Sequence, residues 1–297
     1  MRLFIIFSLL FLGFTGGILA QVSPDSVAVS EDLSQSANKI DLHLNLSAGE
    51  TYSYTTDYNQ YIVQEIMGSS IEIRQQMTTD YRYQIESNDG DEIKIKATYE
   101  RLQMQFEAPQ GDFVFDSNNP QMDDKFTKLN SMIDKPFYIY MNSEGKVTKV
   151  EGYDQIIAGL ELDDNIKELL TDSALMNSVE MNIYAPHPVS MGDSWNKIRS
   201  YALGKLQLNS DLTYTLEGMS EDLAWLNVSG QISAIGTEEA YEMEFSGTQS
   251  GTLETDINTG MISHGNINMD IDAVIKSQGF EVPMKMNTTI RMSGTKL

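Results

Sequence analysis

The side chains that could bind a metal ion or transfer a proton are spread thinly along this chain. The three histidines, His43, His187 and His264, lie far apart, and none belongs to a His-x-x-x-His pair or another close ligand pair. The 43 aspartate and glutamate residues are too numerous for residue type alone to single out a catalytic pair. Cysteine is absent, which excludes thiol catalysis, iron–sulfur clusters and zinc sites with cysteine ligands. We therefore expect no metal, no cofactor and no catalytic residue, and we predict that the protein is not an enzyme.

One short motif, Gly192-Asp193-Ser194, could be read as the nucleophile-bearing start of a serine hydrolase of the GDSL type. Such an enzyme also needs an Asp-x-x-His pair near its C-terminus, but the residue three positions before His264 is Met261. The similar segment Gly49-Glu50-Thr51 contains no serine. We therefore interpret the motif as a turn that leads into a strand whose Trp195 packs inward.

Methionine is the unusual feature of the composition, with 17 residues. Flexible thioether side chains fill irregular cores, and they also line adaptable binding cavities. Core filling is the plainer interpretation. A curved sheet lined by methionine and tyrosine would instead favour an apolar ligand. The candidate ligand contacts on the predicted inward faces are Met77, Tyr81, Tyr83, Met104, Met243, Met284 and Met286.

The elements that must position these side chains are strands, because the dominant hydrophobic period is two. Between residues 71 and 85 apolar or aromatic residues alternate with polar ones, as in a strand with one buried face. Asn88-Asp89-Gly90 is a turn signal. In the next strand the alternation slips near Arg101, which predicts a β-bulge. Residues 282–292 show the cleanest alternation of all.

Several of these strands are longer than ten residues, whereas most strands have about five or six. The predicted fold is therefore mainly β, with long antiparallel curved sheets of half-barrel or barrel-like form. Residues 152–182 differ, because apolar residues there recur at helical spacing, as in Tyr153, Ile156, Ile157 and Leu160. That segment predicts two or three short amphipathic helices.

The two β regions resemble each other. Shifting residues 80–98 by 131 positions places them on residues 211–229 without a gap. The openings at Gly49 and Gly192 are also alike, and each region ends in a glycine-centred turn. We predict an internal duplication of two related halves joined by a short α-helical segment. The predicted units are 1–20 signal peptide, 21–38 flexible leader, 39–151 N-terminal β half, 152–184 helical insert and 185–297 C-terminal β half.

The N-terminus has the pattern of a secretory signal peptide. Arg2 precedes an apolar run from Leu3 to Leu12, and small residues follow before Gln21. The run is shorter than the roughly 20 residues that a membrane-spanning helix needs. We expect an exported protein, periplasmic or extracellular, that is not an integral membrane protein after cleavage.

The formal charge of −23 limits the choice of partners. Nucleic acids and anionic membrane surfaces are recognised by clusters of lysine and arginine, so neither is an expected partner. A large charge of one sign also keeps an exported protein soluble. The sequence does not identify a protein partner.

Four segments carry a resemblance to a known family: residues 46–54, the hairpin containing residues 79–83, the turn Gly145-Lys146-Val147, and Pro188-Val189 leading into Gly192-Asp193-Ser194-Trp195. On these residues the chain resembles a family of exported bacterial proteins of unknown function. The resemblance implies a β-rich, exported protein, and it implies no activity and no site residues.

Two hypotheses of function follow. The first is a non-enzymatic binding or carrier protein that holds a lipid or other apolar small molecule against curved sheets, with the helices as a plug or lid. It requires a cavity inside the sheets. The alternative is a structural or protein-interaction module of the cell envelope, which predicts a filled core and an exposed apolar patch.

Overall fold

The computed structural model describes residues 39–297 except 67, 110, 120–126, 161–170, 182, 204–205, 238–241 and 278. The predicted signal peptide and leader, residues 1–20 and 21–38, lie outside the described residues. Within the helical segment, the part from 161 to 170 lies outside them as well.

The described chain consists mainly of β-strands, which confirms the predicted fold class. Its strands are β1 (Thr51–Ile66), β2 (Ser69–Asn88), β3 (Ile93–Glu107), β4 (Phe113–Asp116), β5 (Pro136–Met141), β6 (Val147–Glu151), β7 (Ser194–Leu203), β8 (Leu206–Met219), β9 (Leu223–Thr237), β10 (Glu242–Asp256), β11 (Ile262–Ser277) and β12 (Phe280–Lys296). Its helices are a 3₁₀ helix (Thr127–Met132), α1 (Tyr153–Ala158) and α2 (Asp172–Val179). Both α-helices fall within the segment that helical spacing had marked.

All twelve strands belong to one antiparallel sheet. Its order is β6-β5-β3-β2-β1-β12-β11-β10-β9-β8-β7, and β4 pairs with the far end of β3. The first and last strands of the chain's β region, β1 and β12, pair side by side along thirteen residues each. That pairing joins the N-terminal and C-terminal parts into one sheet, whose two end strands are β6 and β7.

Each long strand buries alternate side chains, as the period of two predicts. Along β1 every second residue from Tyr52 to Gln64 is buried, and we call the face that carries these residues the inner face. Neighbouring strands continue it in register, with Tyr54 opposite Tyr81 on β2 and Ile62 opposite Met286 on β12. The register between β2 and β3 shifts after Asp80, so the predicted bulge is confirmed.

The sheet is rolled so that its two end strands approach each other. Eleven strands at about 4.8 Å spacing would hold the ends of a flat sheet roughly 48 Å apart. However, α2, an eight-residue helix of about 10–12 Å diameter, contacts both β6 and β7. The inner face therefore encloses an interior, and α2 fills the gap between the end strands. The interior is a single hydrophobic core.

Glycines on the inner face permit this curvature. Six of them lie on β9 to β12, namely Gly230, Gly236, Gly247, Gly251, Gly265 and Gly294. At Gly247 an added Cβ would lie 2.2 Å from the carbonyl oxygen of Asp270, and at Gly230 it would lie 2.0 Å from that of Asp211. Neighbouring backbones approach so closely there that no larger residue fits, as at the tight bends of a barrel wall.

One end of the roll is covered by the chain segment 40–46. Leu42, Leu44 and Leu46 are each only 1% exposed. The backbone of Leu44 donates to Ser143 in the β5–β6 turn, and the next residue, Asn45, donates to Thr259 in the β10–β11 turn. The segment thus connects turns on opposite parts of the sheet and packs its leucines into the interior.

The two hairpins that align in sequence also share their geometry. The β2–β3 register shifts between Ile85 and Ser87, and the β8–β9 register shifts between Leu216 and Gly218, 131 positions later. The glycine openings match as well. The Gly49 amide donates to the Ile85 carbonyl oxygen over 2.8 Å, and the Gly192 amide donates to that of Leu216 over 2.7 Å.

We expect the substitution Gly247→Ala to destabilise the fold by about 1–3 kcal/mol, because its Cβ meets backbone that only a shift of β11 can clear. Urea unfolding monitored by tryptophan fluorescence measures the change. Ser246→Ala is the matched control, since Ser246 is the exposed neighbour on the same strand, and it should change stability by less than about 0.5 kcal/mol. Equal unfolding midpoints for the two variants would contradict the crowding argument.

Candidate functional site

A cavity of about 50 Å³ lies in the interior beneath the end of α2. Its sheet wall comes from the inner faces of β1, β2, β3, β5 and β12, and includes Tyr54, Tyr81, Tyr83 and Met292. Its opposite wall is formed by Ser178 and Val179 at the end of α2 and by Met181 just after it. Most of this lining is aromatic, aliphatic or thioether, so the cavity is suited to an apolar group.

Aromatic rings extend from the cavity through the core to α1. Tyr83 lies 6.0 Å from Tyr54 and 5.7 Å from Tyr81, and Tyr81 lies 4.8 Å from Tyr99, measured between ring centroids. The series continues through Phe137 on β5 to Tyr153 on α1. Centroid separations of 4.5–7 Å are those at which aromatic pairs attract. These contacts make the sheet wall of the cavity a rigid surface.

Burial keeps the tyrosines of this wall in the neutral form. It raises the pKa of Tyr81 to about 12, although hydrogen bonds with Tyr99 and Thr79 act in the opposite direction. Burial also raises the pKa values of Tyr54 and Tyr83 well above the ordinary value of 10. The Tyr54 hydroxyl donates to the carbonyl oxygen of Ile262 over 2.8 Å. The wall therefore carries no charge at neutral pH.

The helix α2 is anchored in its gap at both ends. Its N-terminus is capped by Thr171, whose hydroxyl oxygen accepts from the Ala174 amide over 3.2 Å. At its C-terminus, Arg199 of β7 donates to the Asn177 carbonyl oxygen over 3.2 Å and pairs with Glu180 over 3.4 Å. A cation stabilises a helix C-terminus, where the carbonyl groups lack helical partners.

A second cavity, of about 80 Å³, opens near the covered end of the roll. It shares Tyr54, Met261 and Ile262 with the first cavity, so these side chains separate the two spaces. Its lining also includes Asp256 and Lys296. The Lys296 ammonium donates to Glu50 over 2.6 Å.

Two of the seven sequence-predicted contacts, Tyr81 and Tyr83, line the first cavity. The methionines lie elsewhere on the inner face and pack in the core, where Met284 and Met286 are 2% and 1% exposed. The remaining three are Met77, Met104 and Met243. Met104 is only partly buried, opposite Met77 of β2 and Phe115 of β4.

Sequence reasoning missed most of the actual lining. Met292 was within its reach, because it belongs to the same alternating pattern as Met284. Val179 and Met181 were not, because their position over the sheet depends on how the helical segment returns to β7. Tyr54 has its signal in the alternation of β1, which predicts an inward side chain but no neighbouring cavity.

The motifs set aside in the sequence have structural roles. The Asp193 carboxylate accepts from the Ser190 amide over 2.9 Å, and Trp195 is buried with its indole N–H donating to the Ile183 carbonyl oxygen over 2.6 Å. The interpretation as a turn into a strand is confirmed. His43 faces Asp41, whereas His264 lies 3.1 Å from Glu254 on the outer face.

A family model matches residues 90–262, which is more than half of the chain, so the protein belongs to this family, described as a family of unknown function, DUF6263. No curated protein matches the sequence. Among helices in the described ranges, none is long and apolar enough to cross a membrane.

Similarity to solved structures is found at low sequence identity. A structure of lipid–protein interactions in lipovitellin matches with a TM-score of 0.51 and 8% identity over 84% of this chain. This chain spans about a quarter of that one, 25% of its length. An outer-membrane channel from Pseudomonas putida F1 matches with a TM-score of 0.24 and 6% identity, over 85% of this chain and 97% of the channel. OpdQ from Pseudomonas aeruginosa has a TM-score of 0.24 and 8% identity, over 83% of this chain and 99% of OpdQ.

The raised pKa of Tyr81 predicts a loss of stability at alkaline pH. An unfolded tyrosine ionises near pH 10, whereas folded Tyr81 stays neutral until about pH 12, so its stabilisation is complete below pH 10 and is lost between these values. A shift of this size, about two pKa units, corresponds to about 3 kcal/mol. Urea unfolding of wild type and Tyr81→Phe from pH 8 to pH 12 measures it. The two stabilities should run parallel below pH 10, and the wild type should then fall more steeply. Parallel curves over the whole range would rule out a buried neutral Tyr81.

Proposed function

We propose that the protein is an exported, non-enzymatic carrier that holds a lipid or other apolar small molecule between the inner face of its sheet and the helix α2. The observation that carries the proposal is the apolar cavity beneath α2, with tyrosine and methionine on one side and the end of the helix on the other. A carrier needs an apolar site that can open, and α2 lies in the gap between the two end strands of the sheet.

The size of the cavity indicates how such a site would work. Sites for small molecules typically enclose roughly 300–1,000 Å³, whereas this cavity holds about 50 Å³. A ligand that needs a site of the typical volume can enter only if α2 moves out of the gap between β6 and β7. The apolar residues Ala174 and Leu175, which α2 buries in the interior, would then be replaced by the ligand. In this proposal α2 is the lid, and it fills the site when no ligand is bound.

The likeness to lipovitellin supports the class of ligand. That protein's structure was described for its lipid–protein interactions, and a quarter of its chain shares the fold of most of this chain, 25% against 84%. In this chain the paired strands of the described residues turn no acidic side chain toward the interior, although the whole chain has a net charge of −23. Export would place the carrier in the periplasm or outside the cell.

We further propose that the chain arose by internal duplication, which accounts for the gap. The shared bulge and the matching hydrogen bonds of Gly49 and Gly192 relate β1–β3 to β7–β9. In this relation β1 and β7 are equivalent first strands. β12 pairs along β1, whereas the chain after β6 forms the helical segment that includes α2. By the same relation, β7 would pair with the last strand of the first half, as β1 pairs with β12. Instead, α2 lies between β6 and β7 and takes the place of that pairing.

The alternative is a protein-interaction module of the cell envelope. Two exposed apolar residues at the β7 end of the sheet favour it: Ile198 is 75% exposed and Met191 is 66% exposed. Native mass spectrometry of the purified protein, with extraction of bound lipids, separates the two functions. A co-purifying lipid supports the carrier, whereas a lipid-free oligomer that Ile198→Asp makes monomeric supports the interaction module.

A variant in which α2 packs less firmly against the interior should bind ligand more tightly than the wild type. Leu175→Ala removes a side chain that is 5% exposed and reduces the packing of α2 by about 2–5 kcal/mol. Because the ligand must displace α2, affinity for the neutral apolar dye N-phenyl-1-naphthylamine should rise at least about fivefold in a fluorescence titration.

Leu253→Ala on β10 is the matched control. Leu253 is 1% exposed and lies on the inner face away from α2, so its loss should destabilise the fold to a similar degree without raising affinity. Absence of dye binding in every variant would refute the carrier. Equal gains in both variants would show that general loosening, rather than release of α2, admits the dye.

A further inference from the structure

The charges on the inner face all have one sign. Along the paired strands of the described chain, aspartate and glutamate lie on the outer face, whereas the inner positions carry three charged residues, Lys197, Arg199 and Lys296. Lys197 and Arg199 stand opposite Leu212 and Ser210 of β8 and face the interior together. In a chain with 43 acidic and 20 basic residues, this arrangement needs a specific reason.

Arg199 is partly buried and paired with the end of α2. The Arg199 and Glu180 side chains are 18% and 13% exposed, and Arg199 also lies 5.2 Å above the ring of Tyr201. A charge with this little access to water is stabilised by an opposite charge near it, since desolvation makes an unpaired charge unfavourable. Burial also lowers the pKa of Lys197, while the carboxylates of Glu144 and Glu180 act in the opposite direction.

The end of α2 and the cavity share one turn of chain. The cavity is lined by Ser178, Val179 and Met181. Arg199 contacts the residues interleaved with them, donating to the Asn177 carbonyl oxygen and pairing with Glu180. The α2 segment therefore presents an apolar face to the sheet and an acid at its end to Arg199. A ligand that displaces α2 also removes Glu180 from Arg199, so a ligand that supplies an anion in its place is favoured over a neutral one.

Resting on the carrier function proposed above, we infer that the ligand is an amphiphile with an apolar chain and an anionic head group, a carboxylate or a phosphate, which Arg199 binds with Lys197 beside it. The chain takes the space of the apolar face of α2, and the head group takes the place of the Glu180 carboxylate. Arginine favours both head groups because its planar guanidinium donates two parallel hydrogen bonds to either. Glu180 and the ligand thus compete for one cation, which couples binding to release of the helix.

Three ligands with the same chain test the inference: dodecanoate, dodecyl phosphate and the neutral methyl dodecanoate. Each displaces N-phenyl-1-naphthylamine from delipidated full-length protein at pH 7.5, below its micelle concentration. The wild type should bind at least one anion about tenfold or more tightly than the ester, as expected for a charged hydrogen bond. The better of the two anions identifies the head group.

Arg199→Gln should bring the anions and the ester to within about twofold of each other while ester binding persists. Arg199→Lys keeps the charge and should restore part of the preference. Lys296→Gln is the matched control, because Lys296 is also an inner-face cation but pairs with Glu50 at the second cavity. The Lys296→Gln variant should prefer the anions over the ester as strongly as the wild type does. Thermal unfolding checks that each variant is folded.

The outcomes separate the two proposals. If the wild type binds none of the three ligands, the carrier function fails. If it binds all three equally, or if Arg199→Gln keeps the preference, the carrier stands and the head-group assignment is wrong. If Lys296→Gln abolishes the preference, the head group binds at the second cavity and the assignment to Arg199 is also wrong.

Discussion

The packing of one eight-residue helix between two strands is the interaction on which this structure depends. A sheet of this length, rolled by its twist and its inner-face glycines, brings β6 and β7 close without letting them pair. Unpaired strand edges and an open apolar interior are both costly in water. The helix α2 covers them together, with its apolar side turned inward and Arg199 holding its C-terminus. When α2 is packed between β6 and β7 the interior is filled, and if α2 were displaced the interior would be open.

The interior is built to be rigid on one side and replaceable on the other. Tyrosine rings in mutual contact form the sheet wall, and the long hydrogen-bonded strands behind them resist deformation. The helix side is short, since α2 has only eight residues. If a ligand is to enter, the helix is the part whose displacement breaks the fewest strand hydrogen bonds. The proposed carrier function rests on this difference between the two walls.

The acidic character of the chain acquires a meaning from the fold. In composition, a charge of −23 predicts only that the protein is soluble and binds polyanions poorly. The strand register shows that the acidic side chains on the strands point outward, while Lys197 and Arg199 point inward. Sequence alternation alone could not reveal this, because two basic residues on one edge strand look like any other polar positions. Their importance comes from burial and from the carboxylates of the helical segment beside them.

The sequence by itself determined the β class, the long strands, the bulge near Arg101, the turn at Gly192 and the inward direction of Tyr81 and Tyr83. All of these depend on local spacing, since a strand places every second side chain on one face and a bulge shifts that phase. Only the tertiary structure decided that β1 pairs with β12, that the sheet rolls around α2, and that Val179, Met181 and Met292 meet beneath it. The pairs between β1 and β12 join residues more than two hundred positions apart, and many alternating strands could pair equally well by pattern. The choice among them is made by the packing of the whole interior, which no local period encodes.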